Sequence, residues 1–221
     1  MDTKPGLRER KKKLTRERIG QIAMRMFLEA GFDNVTVAEI ARVADVSEGT
    51  VFNYFPTKES LVFAGMEGFE EELLDAIRGR APGESVLAAF ARSFAASSQV
   101  VAAHSSVYVS AGAQIISQSA TLQHKEREII DAYTRSLAAL ITEETKADED
   151  DIEPWVVANA LMGVHRALLN HSRRQALGGR TGRNLAADVA EQAERAFTRL
   201  SVGLADYALR PPTDSAAPDQ S

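Results

Sequence analysis

The chain has 221 residues, 44% hydrophobic and 26% charged, with a net charge of −5 and no cysteine. That length can bury a real core in one domain or two small ones, and without cysteine neither a disulfide framework nor a thiolate metal site is possible. No apolar run reaches the roughly 18 residues of a membrane span, and no apolar signal segment follows the charged first residues, so a soluble cytoplasmic protein is expected.

The basic charge sits at one end. Residues 1 to 18 hold eight Lys and Arg against three acidic residues, and residues 1 to 60 hold eleven against nine, so the remainder carries the negative balance. Such a run is either a solvated tail or an arm for phosphates, and Arg10, Lys11, Lys12 and Lys13 are its densest part. With Pro5, Gly6 and no periodicity, residues 1–14 read as a disordered basic arm. Thr15 is a good N-cap. From Ile19, the apolar residues Ile22, Ala23, Met26 and Phe27 recur at helical spacing up to Ala30-Gly31, where glycine closes the helix.

Thr36 and Glu39 form a capping box, and Val37, Ile40, Ala41 and Ala44 then make one apolar stripe. Ala44-Asp45-Val46 is a turn, since Asp45 tolerates a left-handed backbone, and Ser47 caps a second short helix. Pro56 ends that helix near Tyr54. Val51 and Phe55 face inward, which leaves Glu48, Gly49, Thr50, Asn53 and Tyr54 outward, with Phe52 near the edge. Two short helices joined by a tight turn, the second small and polar at its exposed start, are the unit that places its second helix in the DNA major groove.

The residues Ile40-Ala41, Ala44-Asp45-Val46-Ser47, Gly49-Thr50-Val51-Phe52-Asn53-Tyr54-Phe55 and Lys58-Glu59-Ser60-Leu61 resemble, in type and spacing, the DNA-binding signature of TetR-type transcriptional regulators. The match departs at the turn, where the usual glycine is Asp45, and at Phe52, where the usual tyrosine has lost a hydroxyl. Chemistry and resemblance together assign Thr36, Tyr54 and Lys58 to phosphates. Ser47, Gly49, Thr50, Phe52 and Asn53 are expected to face the groove, with Asn53 suited to adenine and Thr50 or Phe52 to a thymine methyl. For Ser47 and Thr36, capping alone is an equal alternative.

Thr57 caps a fourth helix expected to run unbroken to about Arg78, a connecting rod with the domain boundary near residue 60. Ala81-Pro82-Gly83 breaks the chain. Five further helices are expected at about 85–103, 106–117, 120–146, 152–176 and 184–209, followed by a disordered tail over 211–221. The fold class is therefore all-α: a basic arm (1–14), a three-helix helix-turn-helix DNA-binding domain (15–60), and a helical domain (61–210) to which the resemblance gives ligand binding and dimerisation.

On the last two long helices, Leu161, Leu168, Val189, Ala193, Ala196, Phe197 and Leu200 belong to apolar stripes. They are either core or, as the resemblance implies, the four-helix interface of a two-fold homodimer. The resemblance also implies an effector pocket, for which Phe94, Tyr108, Gln114, Trp155, Asn159, Met162 and His165 are the polar and aromatic candidates on otherwise apolar helices. Singly, each is more often a satisfied core residue. His104, His124, His165 and His171 lack metal spacing, the acidic stretch 148–153 lacks the EF-hand pattern, and Gly178-Gly179-Arg180-Thr181-Gly182 lacks a phosphate-loop ending, so no catalytic residue, cofactor or metal is assigned. The reading is a dimeric repressor released from a palindromic operator by a small, mostly apolar effector. Its alternative is a DNA-binding protein of the same fold that acts through a protein partner and needs no small molecule.

Overall fold

The first helix, α1, spans Leu7–Ala30 and stops at Gly31, whose φ of 84° suits glycine. It starts well before the expected cap, so residues 7–14 are helical rather than a disordered arm. Leu, Arg, Glu and Lys are strong helix formers even where they bury nothing. Thr15 is interior, its hydroxyl donating to the Lys11 carbonyl at 3.0 Å. The computed structural model describes residues 6–66, 68–104 and 106–210. The disorder expected of residues 1–5 and 211–221 lies outside the described residues.

Next come α2 (Val37–Val43), α3 (Glu48–Tyr54), α4 (Ser60–Phe63), a single 3-10 turn (Ala64–Met66) and α5 (Phe69–Arg78). The expected rod is thus broken. Gly68 takes a left-handed φ of 80° directly before α5, a conformation that only glycine adopts cheaply. The remaining helices are α6 (Val86–His104), α7 (Ser106–Gln118), α8 (Ala120–Thr145), α9 (Glu153–Leu177) and α10 (Gly182–Leu204). Each lies within a few residues of the helix read from periodicity, and the class is all-α, with no strand among the described residues.

The chain forms two compact units, Met1–Glu67 with Val107–Arg127 and Gly68–Ser106 with Glu128–Ser221. The first unit takes in α7 and the start of α8 as well as the N-terminal helices. Its three-helix core buries Ile19, Ala23, Phe27, Ile40, Ala41, Val51 and Phe55. Ile22 and Met26 are only half-buried. Within the same unit, Ser119 donates to the Asp33 carboxylate at 3.3 Å, tying the α7–α8 junction to the loop after α1.

The second unit packs α5, α6, α9, α10 and the later part of α8 around Leu73, Ile77, Phe90, Leu137, Ile141, Leu161, Met162 and Phe197. Arg80 is its polar tie. The guanidinium donates to the carbonyls of Ile77 at 2.8 Å and Ala208 at 3.1 Å and pairs with Glu144. The turn between α9 and α10 is clamped by Asp188, which meets His171 at 2.6 Å and Arg180 at 2.8 Å. The His171 hydrogen bond, with Arg180 adding to it, holds the Asp188 carboxyl below its usual range.

Candidate functional site

The helix-turn-helix is built by its caps. The Glu39 amide donates to Thr36 Oγ1 at 3.2 Å while the Thr36 amide donates to Glu39 Oε2 at 2.8 Å, closing the capping box at the start of α2. These bonds to Thr36, backbone first, lower the Glu39 pKa. In the turn, Asp45 has φ 52°, so it stands where a glycine would be cheapest. The Val46 amide closes the turn onto the Ala41 carbonyl at 3.0 Å. From α1, Arg18 donates to the Ala44 carbonyl, so one of the basic residues holds the turn.

Ser47 opens α3. Its Oγ accepts from the Thr50 amide at 3.1 Å and lies 2.8 Å from the Thr50 hydroxyl. Capping is therefore real for both Thr36 and Ser47, and at Ser47 it also engages the Thr50 side chain. Ser47, Gly49, Phe52 and Asn53 are exposed, and Thr50 and Tyr54 half-buried. Phe52 is 46% exposed, while Val51 and Phe55 anchor the other side of α3. A Cβ built on Gly49 would meet only Ser47 Oγ, at 3.8 Å. The fold leaves this face small and open for no packing reason of its own.

Lys58 is half-buried beside the same face, its ammonium 4.2 Å from the Phe32 ring centroid and 6.0 Å from that of Phe27. The rings restrain the stem and direct the charge. Thr57 and Ser60 exchange amide-to-hydroxyl bonds, each at 3.2 Å, around the turn that carries it. The four basic residues Arg10, Lys11, Lys12 and Lys13 are exposed on the first turns of α1. Sequence reasoning missed Arg18 as a turn clamp and the two rings under Lys58, because both contacts cross between elements.

The expected effector residues divide. Phe94, Met162 and His165 come together in the second unit. His165 stacks on Phe69, with centroids 4.9 Å apart, and meets the edge of Phe94 at 6.1 Å. It is buried, and neither ring nitrogen has a hydrogen-bond partner among the described residues. Burial alone lowers its pKa to about 4, so the imidazole is neutral at physiological pH. Trp155 and Asn159 do not join them. Trp155 is 46% exposed, and the Asn159 amide is spent on the Trp155 carbonyl at 2.7 Å. Gln114 is exposed and lies on α7 in the first unit; Tyr108 is also on α7, with its side chain outside the described residues. Phe69 and Tyr133, whose rings lie 5.7 Å apart, were missed, since each reads as ordinary amphipathic packing.

Of the residues expected at a dimer interface, most are already buried by their own chain. Leu161, Leu168, Val189, Ala193 and Phe197 are buried within this single chain. Ala196 and Leu200 are half-buried. Five of the seven therefore lie in the chain's own interior, Phe197 against Phe90 and Phe94 of α6. The sides of α9 and α10 turned outward carry Val156, Asn159, Ala167 and Asn170, and Ala187, Glu191, Thr198 and Val202.

Residues 21–64 match the family described as bacterial regulatory proteins, tetR family. The HTH-type transcriptional regulator TcmR of Streptomyces glaucescens is 35% identical over 92 residues, 42% of this chain and 41% of that protein. The chain thus spans less than half the length of this curated relative. Among solved structures, NalD of Pseudomonas aeruginosa, the secondary repressor of the MexAB-OprM multidrug efflux pump, has a TM-score of 0.55 at 20% identity over 86% of this chain and 96% of its own. The regulator FadR of Bacillus subtilis, solved in complex with stearoyl-CoA, has a TM-score of 0.53 at 19% identity over 82% and 97%. At these identities the two structures share the fold. All three relatives are regulators, not enzymes.

Proposed function

We propose that this chain is a TetR-type regulator: a dimeric, cytoplasmic transcriptional repressor, released from a palindromic operator by a small, mostly apolar ligand. The observation that carries the DNA reading is the face of α3. Gly49, Phe52 and Asn53 are exposed there, and α3 is held by caps and a clamped turn that keep its backbone rigid. Thr36, Tyr54 and Lys58 are assigned to phosphates beside it, and the basic start of α1 adds positive charge for the duplex backbone. A second copy is required because one α3 reads only a half-site, and two related by a two-fold axis read a palindrome.

The ligand reading rests on the second unit, whose core contains a neutral histidine with both nitrogens unused. A structural core residue is normally hydrogen-bonded, so this favours a small-molecule responder over a protein of the same fold acting only through a partner. Selection of bound fragments from a random DNA pool tests the whole. A palindrome with half-sites about one helical turn apart is expected, and enrichment of no sequence, or of a single undivided half-site, counts against the dimeric repressor.

A further inference from the structure

The aromatic rings of the second unit form one connected series: Tyr133 to Phe69 at 5.7 Å, Phe69 to His165 at 4.9 Å, His165 to Phe94 at 6.1 Å, Phe94 to Phe197 at 5.9 Å and Phe197 to Phe90 at 5.9 Å. His165 is the one member whose ring atoms need polar partners and have none among the described residues. Phe69, Phe94 and Tyr133 are only partly buried, whereas Phe90 and Met162 are enclosed, so what exposure the series keeps lies at Phe69, Phe94 and Tyr133 rather than at Phe90. We propose that His165 is the hydrogen-bonding anchor for an uncharged aromatic ligand bearing a hydroxyl group, taken up against the rings of Phe69 and Phe94. The inference rests on the ligand-responsive reading above.

Three features fix the ligand class. Faces and edges of rings favour a planar aromatic partner in offset or edge-on contact. Among the described residues no ion pair reaches His165, whose protonation is disfavoured by desolvation alone, so a charged ligand would be buried without a counter-charge. A neutral imidazole donates through one nitrogen and accepts through the other, and a hydroxyl can answer either. The same series would favour a hydroxylated ring over a plain hydrocarbon because only the hydroxyl satisfies an imidazole that is otherwise left without a partner.

The test compares naphthol, methoxynaphthalene, naphthalene and naphthoate on the full chain and on His165→Phe, which keeps a ring against Phe69 and Phe94 while removing both nitrogens. For the natural chain, titration calorimetry should give naphthol about tenfold tighter binding than naphthalene, methoxynaphthalene in between and naphthoate none. In His165→Phe the naphthol preference should fall to about one, with an unliganded melting temperature no lower than that of the natural chain. A variant that keeps the preference, naphthoate binding as tightly as naphthol, or no naphthol preference in the natural chain overturns the proposal. So does a His165→Phe chain that fails to fold, because the imidazole would then be a structural requirement. The underlying reading fails separately: a broad metabolite panel in which some other compound releases the selected operator leaves the repressor intact and sinks only the His165 anchor, whereas a panel in which nothing releases it removes both.

Discussion

Gly49 is a residue whose cost the fold does not explain. It is the second residue of α3, where alanine would favour the helix by about 0.5–1 kcal/mol, and its missing Cβ would meet nothing closer than Ser47 Oγ at 3.8 Å. Gly49→Ala is therefore expected to melt at the same or a higher temperature while losing about tenfold or more in affinity for the selected operator, measured by anisotropy. Unchanged affinity would make Gly49 a bystander. His165 gives the opposite kind of signature, one in stability. Its folded pKa is about 4, below the unfolded value near 6.5, so the unfolded chain takes up the proton first on acidification. The resulting stability is complete above about pH 6.5 and is lost as pH falls towards 4, to a limit of about 3 kcal/mol. Melts of the natural chain and His165→Phe across that window should diverge, with the natural chain losing more; parallel curves would mean that His165 protonates as readily in the folded state as in the unfolded one.

Helices were legible in proportion to what they bury. α6 to α10 bury one side each, so apolar spacing located them to within a few residues. Among the described residues no side chain of α1 is fully buried before Ile19, so periodicity was silent there, and composition alone, Leu with Arg, Glu and Lys, carried the helical signal. The break at Gly68 was legible in principle, since Gly65 and Gly68 fall within one turn, but apolar residues around the circumference masked it. The caps at Thr36 and Ser47 were read correctly because capping is a matter of three neighbouring residues. The exposed start of α1 yields a prediction: deleting residues 1–13, which hold six Lys and Arg, should shift the melting free energy by no more than about 0.5 kcal/mol. Operator affinity should drop, and the salt slope should flatten by several charges, each phosphate contact contributing about 0.9. A large loss of stability with an unchanged slope would assign these turns to the fold.

The repressor proposed above needs two copies, and the exposed sides of α9 and α10 are the ones left for the second. A stripe read from sequence is the same whether its own chain or another covers it, which is why Leu161 and Phe197 could be read as core or as interface; both are buried in the single chain. What remains outside has a different character. Ala167 and Ala187 are small and exposed, and a Cβ on Gly163 or on Gly203 would meet no described atom within 4 Å. Glycine inside a helix costs about 1 kcal/mol relative to alanine, and open space at both positions fits close approach by a helix from outside the chain. Val202, 87% exposed near the end of α10, would be covered by the same contact. Ala167→Arg should therefore keep the helical signal and melting behaviour of a folded protomer while sedimenting as a monomer and losing operator binding, since one half-site alone binds weakly. Leu161→Ala should act on the protomer itself, costing about 2–5 kcal/mol through the cavity it leaves. If Ala167→Arg stays dimeric while a Leu161 variant dissociates without unfolding, the interface lies on the inner stripes after all, and the second copy enters by displacing α5 or α6.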